Sequence, residues 1–209
     1  MLKPVLKTTV KLLSRSLAMA AMLPFAAFCF FGRIESLFQI FAQFTALLPG
    51  LIGDYLRVAF YVMTIDRCFL QSRISFGSFL AQSSARLGRS VYIGAYCVIG
   101  DCEIGDRTQI ASHVQIVSGR YQHRFDQTGR LLTADAASFT PVIVGADCWL
   151  GASSIIMADV GPGTTVGAGS VVISPLPANA VAVGNPAKVI RQRQTPAAHT
   201  PCENELSTP

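Results

Sequence analysis

LGRSVYIGAYCVIGDCEIGDRTQIASHVQI, Leu87 to Ile116, places an aliphatic residue about every six positions and follows it with glycine or another small residue. The beat falls on Leu87, Ile93, Ile99, Ile104, Ile110 and Ile116, with one shortened step after Ile99. It resumes in VGADCW from Val144 and LGASSI from Leu150, contracts after Ile156, and continues in VGPGTT from Val160 and VGAGSV from Val166. Such a period fits neither a helical stripe nor strict strand alternation. It predicts a solenoid with three short strands per turn, each leading aliphatic pointing inward and the small residue behind it letting the corner close.

Between the two halves of the repeat lies an excursion, residues 117–141, whose polar and basic composition would not survive burial in a coil. It contains SGRYQHRFD, Ser118 to Asp126, and Gly119 and Gly129 for tight turns. Flat coil faces bind small molecules poorly, so a projecting loop is what would build a cleft. From Pro175 the spacing is lost, and the Thr- and Pro-rich stretch 194–209 predicts a disordered tail.

Working toward the N-terminus, residues 1–70 form an apolar region that predicts helices. Ser16 to Gly32 and Leu37 to Gly53 carry no charge apart from their flanks, and each is slightly short for a bilayer span and contains a proline. Lys3, Lys7, Lys11 and Arg15 recur every fourth residue, a basic stripe on a helix that suits anionic lipid. An interfacial or re-entrant hairpin, a two-pass hairpin and a buried helical cap all fit. Composition agrees with apolar surface left over: of 209 residues 51% are hydrophobic and 14% charged, the net charge is +5, and mean hydropathy is +0.44. No aromatic-basic motif accompanies the charge, which argues against nucleic acid. The six cysteines lack C-x-x-C pairing and are expected to be reduced packing residues in a cytosolic setting.

The segment CWLGASSIIMADVGPGTTVGAGSVV, then AVAVGNPAKVIR, resembles the C-terminal signature of the hexapeptide-repeat acyltransferases. The resemblance covers roughly residues 75–193. It implies a mainly β fold, a left-handed parallel β-helix over 71–193 with the loop 117–141 projecting from it, assembled as a homotrimer whose sites are shared between subunits. It further implies an acyl-CoA-dependent O-acyltransferase with acetyl-CoA as co-substrate and no metal. The acceptor would be a sugar hydroxyl of a cell-envelope or exopolysaccharide precursor, met at the cytoplasmic face of the membrane. A small hydroxylated molecule such as an antibiotic, or a non-catalytic membrane-anchored scaffold, are the alternatives. A zinc site of the carbonic anhydrase kind needs three histidines on neighbouring strands, and only His113 and His123 are available in the coil region.

The resemblance also assigns roles. HRFD, His123 to Asp126, looks like the catalytic-loop motif of xenobiotic acetyltransferases, though its lead-in GRYQ is one residue longer, and His123 is the candidate base. Imidazole suits that task because its ordinary pKa leaves it mostly neutral yet ready to accept a proton. His113, a surface or substrate-contact histidine, and Asp126 would support it, and Trp149 would lie beside the site. Ala152 and Ala168 match positions whose backbone N–H groups bond the acyl carbonyl or the pantetheine arm. Asn185, Pro186 and Ala187 would shape the rim, with Lys188 and Arg191 pairing with coenzyme A phosphates. Ser174 replaces a common lysine, so Arg193 is a candidate substitute.

Overall fold

The computed structural model describes residues 2–118, 125–132 and 140–193, with side chains from residue 8 onward. Three helices, α1 (Leu2–Phe28), α2 (Glu35–Ala46) and α3 (Gly50–Thr64), precede a three-faced parallel β-coil. The first face stacks β1 (Arg73–Ile74), β4 (Tyr92–Ile93), β7 (Gln109–Ile110), β10 (Trp149–Leu150), β12 (Thr165–Val166) and β14 (Ala180–Val183), closed by antiparallel β15 (Lys188–Gln192). The second stacks β2 (Phe79–Leu80), β5 (Val98–Ile99), β8 (Gln115–Ile116), β11 (Ile155–Ile156) and β13 (Val171–Val172). The third comprises β3 (Arg86–Leu87), β6 (Cys102–Ile104) and β9 (Val142–Val144), and single bridges carry it on through Val160 to Leu176.

All eleven leading aliphatics of the repeat, Leu87 to Val166, are at most 2% exposed and form one core. The residue before each points outward, so every two-residue strand contributes one core and one surface side chain. The small residue behind the aliphatic answers to stacking. A Cβ on Gly145 would lie 2.4 Å from the Pro162 nitrogen of the next turn, and one on Gly105 would lie 2.4 Å from the Ala146 nitrogen. Left-handed backbone falls two residues later, and non-glycine residues often hold it: Tyr96, His113 and Ser153 at one corner column, Ser90, Arg107, Asp147 and Asn179 at another. Tyr96, His113, Ser153, Arg107, Asp147 and Asn179 are each pinned by an N–H bond to the turn below, as His113 is to the Ala95 carbonyl at 2.8 Å.

The repeat extends further than its spacing suggests. Leu176 bridges to Val160, and Ala182 pairs with Val166 and is fully buried, so the coil does not end at Pro175. The inward residue there is an alanine, too small to register as an apolar beat.

The second apolar run, Leu37 to Gly53, is not one segment. It breaks at Leu47 to Pro49 into α2 and the start of α3, and these two helices seat on the open end of the coil. A terminal turn leaves backbone groups facing no further strand, and the helices supply their partners. Arg57, fully buried, donates from Nε to the Ile74 carbonyl at 2.9 Å, and the Tyr61 hydroxyl accepts from the Leu80 N–H at 3.0 Å. The Gln39 side chain donates to the Ala81 carbonyl, Gly77 N–H to the Ala46 carbonyl, and Ser83 N–H to the Glu35 carboxylate. Arg57 also donates to the Thr45 and Leu48 carbonyls at the C-terminal end of α2, and to Asp54 at 2.7 Å. Burial pulls the Arg57 guanidinium down from its ordinary value, against the opposing pull of Asp54. Phe38, Phe60 and Tyr61 complete the cap as a buried aromatic cluster.

Helix α1 packs along α3 and leaves much of its apolar surface uncovered. Its stretch Thr8–Phe28 is the one helix among the described residues long and apolar enough to cross a membrane.

Candidate functional site

The corner between the first and second faces gathers most of the residues singled out in the sequence. His113 lies there, exposed, its ring stacked on Tyr96 with centroids 5.3 Å apart. Ala152 and Ala168 occupy the same column on the next two turns, held together because the Gly169 N–H donates to the Ala152 carbonyl at 2.8 Å. Gly151 makes the approach possible, since a Cβ there would lie 2.5 Å from the Ala168 nitrogen. Among the described residues, the N–H groups of Ala152 and Ala168 find no acceptor. Both residues are exposed, so two backbone donors on successive turns face outward over small side chains. A pair of fixed donors of this kind can hold an extended amide-bearing chain or a developing oxyanion.

The column ends at the turn carrying Asn185, Pro186 and Ala187. Gly184 and Ala187 bracket Val171: the Val171 N–H donates to the Gly184 carbonyl, and the Ala187 N–H donates to the Val171 carbonyl. The chain then reverses into β15, where Lys188 and Arg191 are exposed on a strand with no buried residue. Arg193 leaves this group: its guanidinium donates to the Thr165 hydroxyl on the first face at 2.7 Å.

Trp149 lies on β10 with 47% of its surface exposed, which removes it from the core of this chain. Its rung neighbours are Gln109 and Thr165, so the first face presents Tyr92, Gln109, Trp149 and Thr165 in an outward line. Sequence reasoning passed over Gln109, Tyr92 and Thr165. The signal was present, because each immediately precedes an inward aliphatic.

The excursion departs from a different corner, between the second and third faces, at Ser118, and rejoins at Thr140, whose N–H donates to the Ser118 carbonyl. His123 lies outside the described residues. Asp126 opens a short hairpin in which Phe125 bridges Leu131. Its carboxylate accepts from the Thr128 hydroxyl and from the N–H groups of Thr128 and Arg130. These bonds, the Thr128 hydroxyl first, hold the Asp126 carboxyl below the ordinary carboxylate value. The structure therefore ties Asp126 to the shape of the loop, and does not bring it to Trp149 or to the Ala152 column within one chain.

The cysteines fill space. Cys29, Cys97, Cys102 and Cys148 are buried free thiols, and burial pushes the half-buried Cys68 thiol up to about 12. Cys202 lies outside the described residues.

The family model for the bacterial transferase hexapeptide, six repeats, matches residues 84–118. A protein of Escherichia coli K12 described as a colanic acid biosynthesis acetyltransferase, WcaF, is 38% identical over 98 residues, 46% of this chain and 50% of that protein. Galactoside O-acetyltransferase of the same organism is 33% identical over 117 residues, 53% of this chain and 55% of that protein. The chain thus spans about half the length of the curated relatives it matches. Among solved structures, a maltose O-acetyltransferase from Clostridium difficile 630 superposes with a TM-score of 0.63 over 78% of this chain and 90% of its own, at 22% identity. A hexapeptide-repeat acetyltransferase from Vibrio cholerae gives 0.64 over 77% and 93%, at 20% identity. At those identities the likeness fixes the fold, a left-handed β-helix. The named relatives and neighbours are acetyltransferases, and the repeat of this chain is of their hexapeptide kind.

Proposed function

We propose that this chain, whose coil is that of the hexapeptide-repeat acetyltransferases, transfers the acetyl group of acetyl-CoA to a sugar hydroxyl of a cell-envelope or exopolysaccharide precursor. The observation that carries the proposal is the pair of unpartnered, outward N–H groups of Ala152 and Ala168, on a column that ends at the basic strand β15. The thioester's pantetheine arm lies along that column, with Lys188 and Arg191 meeting the phosphates.

His123 takes the proton of the acceptor hydroxyl as its oxygen attacks the thioester carbonyl. The carbonyl becomes a tetrahedral oxyanion, which collapses by expelling the thiolate, and the imidazolium returns the proton to sulfur. Positioning of the two reactants supplies much of the rate. The excursion and the Ala152 column stand at opposite ends of the second face, roughly five or six strand residues or about 18 Å apart at strand rise. That separation favours a site completed by the loop of a neighbouring copy, and so a trimer.

Helix α1, with its exposed apolar surface beside Lys11 and Arg15, rests on the cytoplasmic face of the membrane, where activated glycan precursors and acetyl-CoA meet. The test is thiol release from acetyl-CoA in the presence of hydroxylated acceptors, wild type against His123→Ala. A fall of about a hundredfold or more is expected for removal of a general base. Equal rates would remove His123 from the mechanism.

A further inference from the structure

Two adjoining hollows lie where α1 crosses α3 beside the first face of the coil. One is cationic, about 250 Å³, and is lined by Lys11, Arg15 and Arg73 with Asp54 and Gln71. The other is an apolar groove of about 540 Å³, lined by Val10, Leu17, Ala21, Ile52 and Leu56. Leu51 and Tyr55 form a wall of both, so the polar hollow opens directly onto the apolar one.

The charges of the polar hollow are not balanced from within. Both oxygens of Asp54 are already engaged, Oδ1 by the buried Arg57 at 2.7 Å and Oδ2 by Arg73 at 2.8 Å. Among the described residues Arg15 has no acid partner, and its Nε is buried without a hydrogen-bond acceptor. A buried guanidinium N–H left unpaired is costly, and an anion seated in this hollow relieves it. The apolar groove alongside is walled by side chains that remain largely in solvent, Leu17 at 73%, Leu51 at 66% and Ile52 at 75% exposed.

We infer that these two hollows together bind a lipid with a phosphate headgroup and a long unbranched or prenyl chain. The phosphate sits among Lys11, Arg15 and Arg73, and the chain runs along the α1–α3 groove into the bilayer. The headgroup site stands on the line of the candidate acetylation site. Arg73 is in register with Tyr92, Tyr92 with Gln109 and Gln109 with Trp149. Three strand spacings make about 14 Å along the first face, a span that a phosphate-linked short oligosaccharide bridges. The acceptor is therefore a lipid-phosphate-linked glycan, held by its carrier at one end of the face while a sugar hydroxyl reaches Trp149. This assignment of the acceptor rests on the acetyltransferase reading; the pocket itself does not.

The full-length protein is mixed with phosphatidylcholine vesicles carrying a polyprenyl phosphate, with vesicles carrying the same mole fraction of phosphatidylglycerol, and with inorganic pyrophosphate alone. Wild type partitions onto the polyprenyl phosphate vesicles about tenfold more strongly than onto the phosphatidylglycerol vesicles, the size of a lost charge-assisted contact. Arg15→Gln abolishes that preference, Arg15→Lys restores part of it, and both acetylate a soluble sugar at the wild-type rate. Equal partition onto the two anionic vesicles, an unchanged preference in Arg15→Gln, or pyrophosphate binding without any gain from the prenyl chain each overturn the pocket. Wild type that prefers polyprenyl phosphate but acetylates no sugar upholds the pocket and removes the acetyltransferase reading.

Discussion

Arg57→Met tests whether α2 and α3 are a cap that the coil requires. Methionine keeps the apolar stem and deletes the guanidinium. The deletion withdraws donors from the Ile74, Thr45 and Leu48 carbonyls, which it contacts at 2.9, 2.8 and 2.7 Å, the first two in a fully buried setting. A buried polar group left unpaired costs about 1–3 kcal/mol, and because the Thr45 carbonyl keeps the Leu48 N–H and the Leu48 carbonyl is partly solvated, the roughly 9 kcal/mol for three carbonyls is a ceiling that the loss stays well below. Removing one partner of a buried ion pair typically costs about 3–5 kcal/mol, and Asp54 here keeps Arg73 at 2.8 Å, which favours the lower half of the combined range. The expected loss is about 4 kcal/mol, a shift of roughly 2 M in urea midpoint for a slope near 2 kcal/mol per molar. Helical ellipticity follows α1 to α3, and the emission of Trp149, the only tryptophan, follows the coil. If the cap and coil are one cooperative unit, both probes shift together. Tyr61→Phe, which withdraws the acceptor from Leu80 N–H alone, costs about 1–2 kcal/mol. An Arg57→Met protein within about 1 kcal/mol of wild type, or a coil transition that stays put while the helices melt early, refutes the reasoning.

Gly145→Ala sets a Cβ against the Pro162 backbone at 2.4 Å, and thermal melting should report a loss of about 1–3 kcal/mol; an unchanged melt would show that the turns have room to separate. Trp149→Ala removes a half-exposed side chain, so stability should move by less than about 1 kcal/mol while acetyl transfer falls at least about tenfold. Activity at the wild-type level takes Trp149 out of the site. The Asp126 carboxyl is held below its unfolded value, so its support of the hairpin is complete above the ordinary carboxylate range and lost as pH falls through the lower folded value. Protection of the Thr128 and Arg130 amides, taken as the exchange rate relative to the intrinsic rate at each pH, should fall only there, and a loss of protection already between pH 5 and 7 would contradict the assignment, as those bounds lie above any carboxylate near about 4.

How much of the fold could be read in advance depended on whether a residue's role was set by its own side chain or by its neighbours. The inward aliphatics declare themselves, because each two-residue strand of the coil turns a single apolar side chain into the core. The left-handed corners do not. Tyr96, Arg107, His113 and Asp147 hold positive φ where glycine would be the default, and what holds them is a backbone bond to the turn below that no local sequence pattern announces. The helical cap was hidden by a different ambiguity: an apolar run says that it is buried without saying against what. The discriminating residues were Asp54 and Arg57, a charged pair one helical turn apart inside α3. An arginine in the middle of an apolar helix has to meet backbone or acid, and here the open edge of a coil supplies the carbonyls.

The candidate site was less legible because in a coil the unit of function is the column, and columns are assigned by pairing. His113, Ala152 and Ala168 are unremarkable as letters, and what Ala152 and Ala168 offer is N–H groups that any small residue would expose. They become a site only once Gln109 is known to pair with Trp149 and Gln115 with Ile155, since those two pairings carry the stack across the whole excursion. A pairing displaced by one turn would put His113 level with Gly169 and leave Ala152 beside no histidine column at all. The same logic identifies the face beside the proposed lipid-phosphate pocket. Arg73 stands in the line of Tyr92, Gln109 and Trp149 by register alone, although nothing in the sequence around Arg73 resembles the sequence around Trp149.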